Sequence, residues 1–463
     1  MLALFSKSSR ETQANRPQAP TSAPPSVDAA EALLAESAQS RAYLDLKVKL
    51  HQELIDLINL PVLEHMQPAE IQRDFGELVR QLLAKEHVPL NQTEQRQLVI
   101  DILDEVLGLG PLEPLLKDPT VSDILVNTHS TVFVERRGLL ERTNVRFKDD
   151  KHLLRIITKI VGQVGRRIDE SQPMVDARLP DGSRVNAAVP PAAVDGPLLS
   201  IRKFAKIPYT IESLIQINTI TVEIAELLKA IVKARLSALI SGGTGSGKTT
   251  FLNAMSRNID DRERVVTIED AAELQLQQSH IARLECRPPN IEGQGQITQR
   301  QLVINALRMR PDRIIVGEVR GGEAFDMLQA MNTGHEGSMT TIHANTPRDA
   351  ISRLEQMIGM AGIEIPARSM RAQIASALPV VIQLERMSDG RRRLVSLQEI
   401  TGMESDMVSM QEIFRFNRRG IDADGHVVGE FRATGVRPKF MGQIEIRGMH
   451  LHADLFRPDR VLG

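Results

Sequence analysis

Ser237-Ala-Leu-Ile-Ser241 runs directly into Gly242-Gly243-Thr244-Gly245-Ser246-Gly247-Lys248-Thr249, and this order of residues decides the fold. A short apolar run meets a glycine-rich turn, and a helix-forming stretch from Lys248 to Arg257 follows. The run fits G-x-x-x-x-G-K-[ST], a loop that cradles the phosphates of a nucleoside triphosphate. Glycines let successive backbone N–H groups turn inward around phosphate oxygens. The helix that follows presents its positive end to the same anion. Lys248 can reach the β- and γ-phosphates, and Thr249 offers a hydroxyl to Mg²⁺. Gly242, Gly243, Thr244, Gly245, Ser246, Gly247, Lys248, Thr249 and the adjoining Thr250 are therefore the expected nucleotide contacts, with ATP and Mg²⁺ as cofactors.

Outward from the loop, strand-like and helix-like runs alternate. Val265 to Glu269, Arg313 to Glu318 and Ser338 to His343 are short and β-rich, and helical stretches flank them. That rhythm predicts a mainly parallel sheet covered by helices, an α/β fold. A helix is expected from Val222 to Lys233, and another opens at Thr346-Pro347 and closes at Gly362. Beyond Pro379 hairpin signals dominate, at Ser388-Asp389-Gly390 and Asp422-Ala-Asp-Gly425.

Hydrolysis needs more than a cradle. Arg313-Ile-Ile-Val-Gly-Glu318 is an apolar strand ending in a carboxylate, at the sheet edge where α/β proteins bind ligands. Glu318 is the candidate to complete the Mg²⁺ shell with Thr249. A second acidic cluster, Glu269, Asp270 and Glu273, ends the earlier strand and suits water activation or metal support. Either Glu269 or Glu318 can orient the water. His335 and His343 bracket a strand, where an imidazole can contact the γ-phosphate and respond to its loss. No cysteine or acidic partner stands at zinc-ligand spacing beside them.

Residues 1 to about 38 are rich in Pro, Ser, Ala and Gln and are expected to form a disordered tail. Helical spacing then places Leu44, Val48, Leu50, Leu54, Leu57 and Ile58 on one helix. Ile71, Phe75, Leu78, Leu82 and Leu83 share a second, and Leu98, Val99, Ile102, Leu103 and Val106 a third, ended by Gly108. A three-helix bundle over 39–108 follows, either a partner-docking module or packing scaffold. Residues 109–206 mix strand and helix signals and predict a small α+β domain. Its strands are Ile124 to Asn127, Thr131 to Glu135, Arg184 to Val189 and Leu198 to Phe204, its helix His152 to Val164. A linker from Ile207 to Thr219, within 207–235, leads to the P-loop domain, 236–463.

The bulk numbers narrow the function. Net charge is −2, 3% of residues are aromatic and Trp is absent. A protein that lives on nucleic acid usually has a basic excess and stacking platforms. Arg391-Arg392-Arg393 is the densest basic run and is expected to be solvated. No apolar run approaches the roughly 20 residues of a membrane helix. Met1 to Phe5 is too short for a signal peptide, so the expectation is a cytoplasmic protein held at a membrane by others. Cys286 is the single cysteine, which excludes an intrachain disulfide and predicts a small, partly buried residue.

The loop, the two acidic clusters and the histidines, in this order, resemble the secretion and pilus ATPase superfamily. Glu269-Asp-Ala-Ala-Glu-Leu-Gln-Leu276, Arg287-Pro-Pro-Asn-Ile-Glu-Gly293, Asn305-Ala-Leu-Arg-Met-Arg-Pro-Asp-Arg313 and Gly334-His-Glu-Gly337 look like its CpaF-type branch, the Tad or Flp pilus assembly ATPases. The likeness covers about residues 41 to 435. It implies a RecA-like P-loop domain after the smaller domain, with 242–249 as Walker A and Glu318 as the Walker B acid. Glu269, Asp270 and Glu273 fall in the Asp box, His335 and His343 in the His box. Arg184 in Gly182-Ser-Arg-Val-Asn186, and Arg202 and Lys203 in Ser200-Ile-Arg-Lys203, match positions that close over nucleotide. On this resemblance Glu318, Glu269, Lys248, His343 and Arg202 are the catalytic set.

The resemblance also implies a homo-hexamer with ATP between the two domains, inner-membrane platform proteins as partners, and a hinge near 207–219. An arginine supplied by another domain stabilises the charge of phosphoryl transfer. Losing the phosphate then releases a contact, and hydrolysis becomes movement. The alternatives are a nucleic-acid motor of RecA or helicase type and a module that holds ATP without turnover. Charge and aromatic content oppose the first, and Lys248, Thr249, Glu318 and the Asp-box acids oppose the second.

Overall fold

The structure is a computed structural model that describes residues 46, 49–50, 68–86, 91–204, 209–289, 294–458 and 461–463. The tail expected over 1–38 lies outside them, as do most of the first expected helix and Asn290 to Gly293. The chain forms two compact units, Met1–Pro114 and Leu115–Gly463.

In the first unit, α1 spans Pro68–Glu86 and α2 spans Gln92–Leu107. Asn91 caps α2 through a capping box: its Oδ1 accepts from Glu94 N at 2.9 Å, and Glu94 Oε2 accepts from Asn91 N at 2.8 Å. Gly108 closes the helix as its spacing predicts. Leu46, Leu50, Val79, Leu82, Leu83, Leu98, Ile102 and Leu103 bury one another.

The second unit holds two sheets. The first contains β1 (Val121–Thr128), β2 (Thr131–Arg136), β3 (Leu139–Arg142), β4 (Met174–Arg178), β5 (Arg184–Ala188) and β6 (Leu198–Arg202), in the order β3-β2-β1-β6-β5-β4. All its pairings are antiparallel. Alternate residues face inward, among them Ile124, Val126, Val132, Val134, Val185, Ala187, Leu199 and Ile201. Helix α3 (Asp150–Gln163) runs against β4 and buries Leu153, Ile156, Ile157 and Ile160.

Two helices, α4 (Ile211–Gln216) and α5 (Val222–Lys233), lead to the second sheet. The first corrects the expected linker. Thr210 caps α4, and Ile211 and Leu214 are buried in the same core as α5. The second sheet is built from β7 (Ala238–Gly242), β8 (Val265–Glu269), β9 (Ile281–Glu285), β10 (Arg313–Val316), β11 (Met339–His343), β12 (Val380–Arg386), β13 (Arg392–Glu404), β14 (Met407–Ile421), β15 (Val427–Ala433) and β16 (Val461–Leu462). Its order is β16-β15-β14-β13-β12-β7-β11-β10-β8-β9. From β12 to β9 neighbours are parallel, and from β12 to β16 antiparallel.

Helices on both faces explain why the central strands read as unbroken apolar runs. On β7, Ala238 and Ile240 join the core containing α5 and α6 (Lys248–Ser256), whereas Leu239 joins the opposite one. The opposite core is lined by α7 (Gln299–Ala306), α8 (Glu323–Asn332), α9 (Pro347–Gly359) and α10 (Ala367–Ala377). Thr346 caps α9 as expected, but the helix ends at Gly359, three residues before Gly362. Among the described residues no helix is long and apolar enough to cross a membrane.

Candidate functional site

The strand order β7-β11-β10-β8 sets one edge of the parallel sheet. At that edge Gly242, His343 and Glu269 end β7, β11 and β8, and Glu318 follows β10 by two residues. His343 pairs in register with Gly242, and Val316 with Ile268. The loop therefore has His343 beside it, then Glu318, then Glu269.

The loop is shaped by conformations that side chains disfavour. Gly245 and Gly247 have φ of +70° and +89°, the second just before α6. A Cβ on Gly242 would come within 2.6 Å of Leu384 O on β12 and closer still to Ser246 Oγ. Lys248 is buried at 7% exposure, and its Nζ donates to Gly242 O and Gly243 O, both at 3.0 Å. Burial, with repulsion from Arg202, Arg320 and Arg353, lowers its pKa to about 8 despite Glu318. Thr249 and Thr250 lie half-buried in the first turn of α6.

Around the loop the polar groups form one chain of contacts. Lys248 Nζ is 3.3 Å from His343 Nε2, which is 2.9 Å from Glu318 Oε1. Burial and the Lys248 charge push His343 below the ordinary imidazole value. Arg320 pairs with Glu318 Oε2 at 2.7 Å and with Asp270 Oδ2 at 2.7 Å, so one guanidinium bridges both acidic clusters. Sequence reasoning missed Arg320, though it stands two residues past Glu318. Beside it a cavity of about 420 Å³ is lined by Arg320, His343, Asn345, Asp349 and Arg353.

Glu269 is 2% exposed. Its Oε2 accepts from Glu273 N at 2.6 Å and Leu274 N at 2.8 Å, while burial raises its pKa. Oε1 has no hydrogen-bond partner among the described residues. Its side chain passes beside Gly317, where a Cβ would stand 3.0 Å from Glu269 Cγ. Glu273 pairs with Arg184 Nε at 2.9 Å, and Arg184 also donates to Ala271 O at 2.8 Å. Arg178 reaches Glu285 and Ala272 O. The first sheet thus grips the Asp-box loop through Arg184 and Arg178.

Three residues expected at the nucleotide have other partners in this structure. Arg202 pairs with Asp123 at 3.2 Å across β1 and β6, and only its field reaches Lys248. Lys203 donates to the carbonyls of Leu115 and Asp118 and anchors its own sheet. His335 precedes β11, so the length of that strand separates it from His343. Its Nδ1 meets Pro311 O at 3.0 Å. The neighbouring Gly337 adopts φ +79° over buried Arg313, whose guanidinium pairs with Glu263 at 2.6 and 2.9 Å. In this chain Gly337 packs against a buried ion pair at the opposite end of the parallel strands.

Of the basic run 391–393, Arg391 is exposed as its charge predicts, but Arg392 and Arg393 are not. Arg392 Nε donates to Gly245 O at 3.1 Å, and Nη2 pairs with Glu135 Oε1 on β2 at 2.9 Å. Arg393 is 7% exposed and stands 4.7 Å from the Phe416 ring centroid. Arg386 pairs with Glu135 Oε2 at 3.5 Å and also donates to Gly138 O. Period and spacing carry no sign of the pairing with Glu135, because Arg386 and Arg392 stand about 250 positions from it. Cys286 is half-buried, and burial with nearby Asp270 pushes its thiol up to about 12, so it stays protonated at neutral pH.

The family described as "Type II/IV secretion system protein" matches residues 105–425. A Mycobacterium tuberculosis protein whose name provisionally assigns it to conjugal transfer is 39% identical over 333 residues, 67% of this chain and 94% of its own. The type IV secretion system protein PtlH of Bordetella pertussis is 34% identical over 318 residues, 62% of this chain and 93% of its own. Among solved structures, the VirB11 ATPase of the Brucella suis type IV secretion system is 30% identical, with 62% of this chain and 91% of that one covered and a TM-score of 0.34.

Proposed function

The chain belongs to the type II/IV secretion ATPase superfamily and is an ATPase, and from that premise we propose that it is the hexameric motor of a Tad or Flp pilus assembly system. One observation carries the proposed catalytic assignment: Lys248, His343, Glu318, Arg320 and Asp270 form a continuous chain of contacts beside the phosphate loop. In this reading the loop amides and Lys248 hold the β- and γ-phosphates. Thr249 and Glu318 would hold Mg²⁺, a hard cation that suits a hydroxyl and a carboxylate. The ion would neutralise charge on the transferring phosphoryl group.

Glu318 orients the attacking water, and neutral His343 fixes that carboxylate. Glu269 positions the Asp-box turn, since one of its oxygens is committed to two backbone amides. The assignment of Arg202 as a charge-stabilising arginine rests on family resemblance and on its field at Lys248. The small sheet contacts the Asp-box loop directly and the phosphate loop through Arg392, so loss of the γ-phosphate changes how that sheet is held. This is the proposed route from hydrolysis to pushing on inner-membrane platform proteins. The CpaF-like runs quoted above favour pilus assembly over other secretion branches.

The test is to size the purified protein with and without a non-hydrolysable ATP analogue and to assay the bound nucleotide. A nucleotide-stabilised six-subunit ring is the expected result. A monomer that never retains nucleotide overturns the motor reading. Single-stranded DNA is expected to leave the ATPase rate unchanged, and a several-fold salt-sensitive stimulation would favour a nucleic-acid motor.

A further inference from the structure

We propose that Arg392 is a positioning residue for the phosphate loop and that Glu135, from the other sheet, sets it. The inference rests on the nucleotide-binding role of residues 242–249 and adds a control on that role.

Arg392 has three separate commitments. Its Nε donates to Gly245 O at 3.1 Å, Nη1 to Gly390 O at 3.2 Å, and Nη2 to Glu135 Oε1 at 2.9 Å. A peptide unit is planar and trans, so its C=O and the following N–H point in opposite directions. Holding Gly245 O toward Arg392 turns Ser246 N–H to the other side of the loop, where its contact with Gly243 O is a long 3.4 Å. That amide is one of those the loop offers to a phosphate. Arg392 thus acts on the bound anion through a backbone unit, without touching it.

Glu135 is well placed to govern this contact. Its side chain is 14% exposed, and its second oxygen is 3.5 Å from Arg386. Arg386 in turn lies 3.3 Å from the position a Cβ would take on Gly245. One carboxylate therefore holds two arginines against the outer side of the loop. The turns that carry these groups also interlock. At Gly138 (φ +86°) a Cβ would stand 2.5 Å from Gly390 O and 2.6 Å from Arg392 Nη1. Only a residue without a side chain allows that approach. Displacing the small sheet would withdraw Glu135, free Arg392 and let the Gly245 peptide rotate. Nucleotide affinity is thereby tied to the position of the small sheet.

The experiment measures kcat, KM and the Kd of a fluorescent ATP analogue on the full chain for wild type, Arg392→Ala, Arg392→Lys, Glu135→Gln, Gly138→Ala and the Glu135→Gln/Arg392→Ala double variant. Thermal melts run in parallel. Arg392→Ala is expected to raise Kd and KM about tenfold, one lost charge-assisted contact, with kcat changed less. Arg392→Lys should recover little, because an ammonium cannot span Gly245 O and Glu135 as a planar fork does. Glu135→Gln and Gly138→Ala should each raise KM in the same direction. The double variant should fall well short of the sum of the two single effects, since both changes break the Glu135–Arg392 linkage and only the hold on Arg386 is separate.

Lower melting temperatures with Kd unchanged within twofold would overturn the proposal, as would additive effects in the double variant. If Arg392→Ala fails to fold, the Glu135→Gln and Gly138→Ala values decide in the same way. Wild-type ATP binding is the control that separates the two readings: without it the nucleotide site itself is wrong, and with it but without the Arg392 effect only the linkage is wrong.

Discussion

His343 Nε2 lies 2.9 Å from Glu318 Oε1, and the same nitrogen is 3.3 Å from Lys248 Nζ. Two adjacent strands therefore deliver an imidazole between the lysine of the glycine-rich loop and the acid that follows the next strand. Burial and the lysine charge favour the neutral ring. A neutral imidazole has one N–H; with it on Nε2 toward Glu318, the Lys248 ammonium can donate only to Nδ1, 3.5 Å away. His343→Asn should keep ATP binding and lower kcat by about 10- to 100-fold, the usual cost of losing a group that orients an active one. Single-turnover hydrolysis beside analogue binding checks this, and an unchanged single-turnover rate would refute it.

Glu318 and Glu269 are separable. Glu318→Gln is expected to bind ATP and slow turnover on the order of 10²–10³-fold, comparable to removing a preorganised charge-stabilising group. Glu269→Gln keeps an oxygen for the Glu273 and Leu274 amides and should lose less than a tenth as much. Glu269→Ala should instead destabilise the fold by about 1–3 kcal/mol, the cost of stranding buried donors. Turnover and urea midpoints on the three variants settle the point. Equal catalytic losses for the two Gln variants would place Glu269 in the chemistry.

Arg320 compensates two acidic residues at once. Arg320→Ala leaves Glu318 and Asp270 facing the phosphate site without it, and repulsion should raise KM for ATP. Arg320→Lys should be only slightly better, because a single ammonium does not reproduce the fork across both carboxylates. KM measured from low to high ionic strength checks the cause. The defect should shrink as salt screens the acids, and a salt-independent defect would point to packing instead.

Asp118 gives a pH-dependent test of the small sheet. Hydrogen bonds from the Thr120 hydroxyl and amide, together with Arg136, hold its carboxyl down at about 2. A depressed carboxylate stabilises the fold above its unfolded pKa of about 3.9, and the contribution is lost as pH falls through the folded value. Asp118→Asn should therefore be less stable than wild type at pH 7, by at most about 1 kcal/mol for a partly exposed group. The gap should narrow between about pH 4 and pH 2. Urea midpoints at pH 7, 5, 4 and 3 measure it, and a constant gap would contradict the assignment.

Much of the site is written locally. Gly242 to Thr249 needs only backbone freedom and a following helix, so its place after β7 is legible from neighbouring residues. Glu318 and Glu269 close apolar runs, and parallel strands bring such ends to one edge. Local pattern failed where a side chain's role depends on distant partners. His335 and His343 read alike in sequence, yet they lie at opposite ends of β11. Lys203 and Arg202 read as a basic pair, but one anchors two carbonyls and the other pairs with Asp123. Residues 207–219 read as a linker because α4 is a six-residue helix, too short for a periodic signal, and its stability comes from packing Ile211 and Leu214.

The sequence by itself determined the phosphate loop, the helix behind it and the acids that end the neighbouring strands. Each of these follows from the order of residues within a few turns of chain. Tertiary structure alone decided that β11 and β10 stand between β7 and β8, that Arg320 bridges two acidic clusters, and that Glu135 meets Arg392 beside the loop. The physical reason is range. Backbone preference and hydrophobic period act over neighbouring residues, whereas an ion pair between positions 135 and 392 exists only after two separate sheets have packed.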